Sequence, residues 1–359
     1  MLKQPRDFLL ALLNSPSPSG FEARTTRIWL DYVQAFADET LTDAYGNAYA
    51  VVNPKGSPVV LLEGHSDEIG LMVTYIDDEG FLWVNAIGGV DPKMLLGKRV
   101  LLHCNDGPLR GVIGVLAPHM QTADMRDKSH RISDIYIDIG ARTKLEAQKL
   151  VQIGTPVTVD AGPAMLLGDT LAARSCDNKI GIWSSAEALR RFRAAGGGTA
   201  CVVAASHVQE EVGLQGAKMG AFRWDPDVAI VVDVTNATDF PDAKKELRGD
   251  IRMGQGPAIR IGPAAHPKVN ERLEKLAAQK KIRLQRVPIP GRSGTDANAI
   301  YVARQGIPTA ILSTPNRYMH SASETVNLKD LDQIPALMAA FCASLKRGEK
   351  FTVHPGGRK

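Results

Sequence analysis

The sequence predicts an α/β protein in which a mixed or parallel sheet, covered by helices on both faces, is interrupted by an inserted β-rich domain. Three observations carry this expectation. Apolar strand-like runs alternate with helical patterns on either side of the insert. Four of those runs end in side chains able to bind a metal. Between Gly70 and Asp169 the alternation gives way to short β-rich runs separated by glycine-containing turns, the spacing of a small barrel or sandwich. At 359 residues the chain exceeds what one hydrophobic core usually serves. Two domains are therefore expected: residues 1–67 with 170–359 as one discontinuous domain, and 68–169 as the insert.

The elements follow in order. Phe21, Ile28, Trp29, Tyr32, Val33 and Phe36 recur at helical spacing, and Tyr45-Gly-Asn47 marks a hairpin turn. Val59-Val-Leu-Leu-Glu-Gly-His65 reads as a buried strand. In the insert, Phe81–Val84, Arg99–His103, Arg110–Val115 and Ile135–Ile139 are strand candidates, with one helical stretch near Thr143–Leu150. The α/β pattern resumes with a helix from about Lys179 to Ala195 and an apolar strand, Thr199-Ala-Cys-Val-Val-Ala-Ala-Ser206. A third strand, Val228-Ala-Ile-Val-Val-Asp-Val-Thr235, precedes helices near Val269–Lys280 and Asp296–Arg304. A fourth, Ile307-Pro-Thr-Ala-Ile-Leu-Ser313, leads to a closing helix near Leu331–Arg347.

Composition narrows the function classes. The chain carries 43 basic and 39 acidic residues for a net charge of +4, and 44% of it is hydrophobic. The basic residues form no block, so no nucleic-acid partner is expected. The start lacks a long apolar segment with a cleavage site, and no apolar run of about 18 residues occurs, so neither export nor a membrane is expected. Cys104, Cys176, Cys201 and Cys342 are scattered without a CxxC spacing, which suits a reducing cytoplasm.

The chemistry gathers at strand ends. Ser206-His-Val-Gln-Glu-Glu-Val-Gly-Leu-Gln-Gly216 delivers Glu210 and Glu211 at the end of an apolar run. Adjacent carboxylates repel unless something positive sits between them. A divalent metal would let one bind while the other moves a proton. His65 and Asp67 follow the first run, Asp233 ends the third, and Arg317-Tyr-Met-His320 follows the fourth. In open α/β sheets, ligands bind in the crevice at the carboxyl ends of the strands. Asp177 precedes an amphipathic helix, where it could serve as an N-cap or as the floor of that crevice.

Gly64-His-Ser-Asp-Glu-Ile-Gly70, Ser175-Cys-Asp-Asn-Lys-Ile-Gly181, Gln209-Glu-Glu-Val-Gly-Leu-Gln-Gly-Ala217, Val232-Asp-Val-Thr235, Ser293-Gly-Thr-Asp-Ala297 and Arg317-Tyr-Met-His-Ser321 occur in the order and spacing of the tetrahedral (TET) aminopeptidases. This resemblance spans nearly the whole chain and implies a dinuclear metallo-aminopeptidase. It implies a zinc-exopeptidase-type α/β/α catalytic domain interrupted by a PDZ-like β-barrel dimerisation domain, with dimers assembling into a tetrahedral homododecamer. His65 and Asp233 would hold one metal, Glu211 and His320 the other, and Asp177 would bridge both. Glu210 would be the general acid/base, and Asp67 would orient His65. A cis peptide bond between Asp177 and Asn178 is also implied. The cofactors would be two divalent ions per subunit, zinc or cobalt with manganese as an alternative, and the substrates peptides.

The chemistry of these residues agrees with that division of roles. Three carboxylates, two neutral imidazoles and one bridging hydroxide balance two divalent cations, which can acidify a shared water and polarise a carbonyl. Glu210, uncoordinated, is free to move a proton. Ser66 and Lys179 depart from the family pattern, where a larger apolar residue and an Arg are common; Lys179 would act on the surroundings of Asp177. Ser293, Thr295 and Asp296 are expected to form a turn and helix cap. His103, His119, His130 and His207 are expected to be surface or core histidines. A glucan hydrolase using paired carboxylates and a non-catalytic assembly protein are the alternative functions.

Overall fold

The computed structural model describes residues 1–122, 124 and 130–353. Helices α1 (Lys3–Asn14) and α2 (Ala23–Val33) open the chain. α1 turns Phe8, Leu9, Leu12 and Leu13 inward, a spacing that places side chains on one helical face. α2 buries Trp29 and Val33, whereas Phe21, expected in the same pattern, precedes the helix and is exposed. β1 (Glu39–Thr42) and β2 (Ala48–Val52) pair antiparallel around the expected hairpin turn. β3 (Val59–His65) follows.

The next strands are β4 (Gly70–Ile76), β5 (Leu82–Ile87), β6 (Arg99–Cys104), β7 (Gly107–Ile113), β8 (Tyr136–Asp138) and β9 (Pro156–Val159). They close into a barrel in the order β4-β5-β8-β7-β6-β9. Leu71 with Val73, Leu82 with Val84, and Val100 with Leu102 fill the interior, each pair two residues apart as an inward-facing strand requires. The short helix α3 (Lys144–Gln148) is capped by Thr143, whose Oγ1 accepts from the Glu146 N–H at 3.3 Å.

Past the barrel come β10 (Ala164–Met165), β11 (Thr170–Ala173), α4 (Cys176–Ala194), β12 (Cys201–His207), α5 (Gln215–Trp224), β13 (Val228–Asn236) and α6 (Lys245–Arg248). The chain then runs through β14 (Ala258–Ile261), α7 (Pro267–Gln279), β15 (Gln285–Pro288), α8 (Ala297–Ile300), β16 (Thr309–Arg317), β17 (Glu324–Asn327) and α9 (Leu328–Ala343). Among the described residues, eleven strands make one sheet along β1-β2-β12-β3-β13-β16-β17-β11-β10, with β14 pairing β16 and β15 pairing β14. Its centre, β12-β3-β13-β16, is parallel throughout and consists of the four apolar runs. Their near-continuous apolar character follows from burial on both faces. Val60, Leu62, Val202 and Ala204 pack into one core with α1, α4 and α9; Leu61, Val203, Ala205 and Val231 pack into another with Ala217 and Ala221 of α5.

Two features depart from expectation. The helix expected over Asp296–Arg304 is a single turn, Ala297–Ile300. α5 carries no strong helical signal, because Gly216 and Gly220 are poor helix formers. Both glycines are buried there, where the absence of a side chain permits close packing.

Candidate metal centre

The four parallel strands place their carboxyl ends side by side, so residues far apart in sequence meet above the sheet. His65 ends β3 and pairs in register with His207 of β12, and Glu210 and Glu211 lie on the loop that follows. Asp233 sits near the end of β13, opposite Ser313 of β16, and His320 lies just beyond β16. Asp177 reaches the same point from the start of α4. That approach depends on Gly64 and Gly181: a Cβ on Gly64 would stand 2.7 Å from the Gly181 Cα.

Donor atoms of His65, Asp177 and Asp233 lie within 4.8 Å of one another, as do those of Asp177, Glu211 and His320. Asp177 belongs to both groups. Its Oδ1 is 3.2 Å from His65 Nε2 and its Oδ2 3.5 Å from His320 Nε2. The His320 Nε2 is also 3.7 Å from Glu211 Oε1, and Glu210 Oε2 stands 3.9 Å from His65 Nε2. The Asp177–Asn178 peptide bond is cis. Ser175, Gln209, Tyr318 and His320 adopt positive φ of 56° to 62°. L-residues rarely occupy this region except where surrounding structure imposes it, and these four flank or supply the cluster.

Asp67 lies behind the cluster and contacts several of its members. Its Oδ1 lies 3.2 Å from His65 Nδ1 and accepts the Glu210 N–H at 3.0 Å; its Oδ2 accepts from the Glu211 N–H at 3.1 Å and from Ser19 Oγ at 2.6 Å. Asp67 thus faces the His65 ring with its carboxylate and with its backbone carbonyl, 3.2 Å from Nδ1, and its carboxylate holds the backbone of both glutamates.

The electrostatics favour a cation. Burial, reinforced by Asp296, Asp233 and Asp177, pushes the Glu210 carboxyl up to about 9. Burial and then Asp177 raise Glu211 well above the carboxylate range, and the same causes lift Asp233 to about 7. Hydrogen bonding to Asp177 lifts His320 to about 10. Burial opposes ionisation of Asp177, but its contacts with His320 and His65 outweigh this and lower it. A cluster of carboxylates that mutually resist ionisation, interleaved with imidazoles, is a donor set that fits divalent ions.

Two supporting residues were not singled out by the sequence. Buried Glu324 accepts from the Asp177 N–H and the His320 N–H, each at 2.8 Å. Its position four residues after His320 is the only hint. Buried Glu68 pairs with Arg174 and, at 2.9 Å, with Lys179. Lys179 therefore reaches toward Glu68 and the Ser15 carbonyl. Asp296 makes no side-chain cap bond; the Ala297 N–H donates instead to Thr295 Oγ1 at 3.3 Å. His207 is fully buried, and half-buried His103 contacts Thr158 Oγ1 at 2.9 Å. A pocket of about 510 Å³ opens over His65, Asp177, Glu210, Glu211, Asp233 and His320.

The family model for M42 glutamyl aminopeptidase matches residues 46–337. The chain is 35% identical over 345 residues to the lysyl aminopeptidase of Pyrococcus furiosus, spanning 95% of this chain and 97% of that protein. Its structure is similar to that of a TET aminopeptidase from a marine sediment Thaumarchaeota archaeon, with a TM-score of 0.90, 32% identity and coverage of 95% and 96%. It is also similar to the Pyrococcus horikoshii TET1 peptidase, which can assemble into a tetrahedron or a large octahedral shell. The TM-score there is 0.84, with 31% identity over 95% of this chain and 100% of that one.

Proposed function

The chain belongs to the M42 glutamyl aminopeptidase family and is an aminopeptidase; from that premise we propose that it removes N-terminal residues from peptides at a dinuclear metal centre, with Glu210 as general acid/base. The observation that carries this reading is the position of Asp177, with one carboxylate oxygen toward His65 and the other toward His320. His65 and Asp233 would hold one ion, Glu211 and His320 the other, and Asp177 both.

Two divalent ions held there would supply an acidified water and a polarised scissile carbonyl. The protein's own groups do the rest. Asp67 fixes the tautomer and orientation of His65 by facing its Nδ1, which strengthens a metal-binding imidazole. It also anchors the Glu210 backbone, limiting where that carboxylate can stand. Glu210 faces the pocket; it would take a proton from the attacking water and deliver it to the leaving amine. Burial makes the Glu210 carboxyl a weaker acid than usual, which suits it to holding a proton between those transfers.

The barrel would serve dimerisation, and dimers would close into a dodecamer. Val112, Val115, Leu116 and Met120, in and just beyond β7, are each exposed, and apolar side chains left in solvent favour association. A panel of aminoacyl chromogenic substrates, assayed after chelation and after reconstitution with zinc, cobalt or manganese, tests the function. Metal-dependent release of the N-terminal residue is expected. Hydrolysis of glucans that is indifferent to chelator would overturn the reading.

A further inference from the structure

A second cluster of ligand-type side chains lies on the same sheet, outside the proposed dinuclear centre. Glu63 and His207 occupy neighbouring strands: Ala205 pairs with Glu63 and His207 with His65. In a parallel pair, side chains in register share a face, so Glu63 and His207 both point to the side covered by α5 and α8. Asp296, at the start of α8, closes over them. Donor atoms of Glu63, His207 and Asp296 lie within 4.8 Å of one another, and their exposures are 0%, 0% and 2%.

The cluster is polar, closed and short of hydrogen-bond donors. His207 Nδ1 is 3.1 Å from Glu63 Oε2. Among the described residues, Glu63 Oε1, both Asp296 oxygens and His207 Nε2 have no conventional hydrogen-bond partner, and the Glu63 and Asp296 carboxyls face each other closely enough to share a proton. His207 Nε2 abuts α5, where a Cβ on Gly220 would come within 2.2 Å, so Nδ1 is the nitrogen aimed into the cluster. Burying two carboxylates without compensating charge is strongly unfavourable. A proton shared between Glu63 and Asp296 would join one oxygen of each and leave the other Asp296 oxygen without a donor. One divalent cation neutralises both carboxylates and engages the imidazole.

We infer that Glu63, His207 and Asp296 form a third metal site, taking a divalent ion of the zinc, cobalt or manganese class, the class that an imidazole with two carboxylates suits. Its role is positional. Glu63 stands two residues before His65, His207 three before Glu210, and Asp296 on the loop that follows β15. An ion bound to all three would fix these segments beneath the pocket. The site is separate from the dinuclear centre proposed above and shares none of its ligands.

Metal counting on the intact protein tests this. Protein stripped with chelator, reconstituted with manganese, cobalt or zinc in turn and desalted, is expected to retain three ions per subunit with at least one of these metals, by elemental mass spectrometry. His207→Gln and Asp296→Asn are expected to retain two. Two ions per subunit in the unaltered protein with every metal would overturn the inference. Crystals of the unaltered protein, measured at the absorption edge of the bound metal, give a readout that does not depend on variants folding. A peak among Glu63, His207 Nδ1 and Asp296 is expected, and peaks confined to the Asp177 cluster would overturn the third site. A peak at the triad with none beside Asp177 would instead overturn the dinuclear reading and leave this one standing.

Discussion

At the scale of single residues, the site separates into groups that would bind metal, one that would move protons and others that hold them in place. Glu210 is proposed to bind no metal, so Glu210→Gln should lower kcat by about 10²–10⁴-fold while leaving the metal content of the Asp177 cluster unchanged. Elemental analysis beside the assay checks this, and joint loss of metal and activity would make Glu210 a ligand. Glu324 grips the backbone of Asp177 and His320. Glu324→Ala should therefore weaken metal affinity by roughly 10–100-fold, measured by competition with a chelator. Glu68 supplies a pH signature. Burial alone would raise its pKa, but Arg174 and Lys179 outweigh that and bring it down to about 2. A carboxyl lowered on folding stabilises the native state above its unfolded value of 4.5, and that stabilisation is lost as pH falls toward 2. The shift corresponds to a contribution on the order of 3 kcal/mol. The stability gap between the unaltered protein and Glu68→Gln, followed by denaturant melts, should be constant near neutrality and narrow steadily below about pH 4.5. A gap independent of pH would contradict the pairing.

At the scale of elements, the site depends on how closely α4 can approach β3. A Cβ on Gly64 would come within 2.5 Å of the Gly181 carbonyl carbon, and backbone cannot yield as a flexible side chain can. Gly64→Ala is expected to destabilise the fold by about 1–3 kcal/mol and to lower metal content, because Asp177 would be displaced from His65. Retention of full stability and metal would show that the two segments tolerate separation. The strands of the parallel centre were legible because burial on both faces forces long apolar runs, as in Val228–Val232. α5 was not, because Gly216 and Gly220 suit packing against the sheet rather than helix formation. The short strands β14, β15 and β17 also carry little apolar pattern, being four residues each.

At the scale of the whole molecule, the proposed shell links assembly to substrate size. If barrels pair dimers and dimers close, the pockets face an interior reached through pores. Short peptides should then lose one residue at a time from a free amino end while folded proteins remain intact. N-acetylation should block cleavage, since it removes the amine that the carboxylates and metals would engage. Light scattering for particle mass, alongside mass spectrometry of digests, checks both expectations. Efficient internal cutting of acetylated peptides would overturn the exopeptidase reading, whereas a fully active monomer would remove only the shell.

What the sequence determined by itself was the inventory and its order. Apolar runs closing on His65, Asp233 and the loops bearing Glu210, Glu211 and His320 specify strands whose ends carry ligand-type side chains. Six ordered motifs then point to the TET aminopeptidases, in agreement with the M42 family match over residues 46–337. Tertiary structure decided which side chains face one another. From local pattern alone Asp177 read as a helix cap, and only the family resemblance gave it a bridging role; α4 brings it between His65 and His320. Glu63 was one polar residue in an apolar strand, and Asp296 an apparent cap, until strand register and the turn at α8 placed them against His207. Hydrophobic periodicity encodes which face of a strand is buried, because burial acts on each residue independently. Meetings between residues 63, 207 and 296 arise from sheet order and helix docking, which no local pattern records.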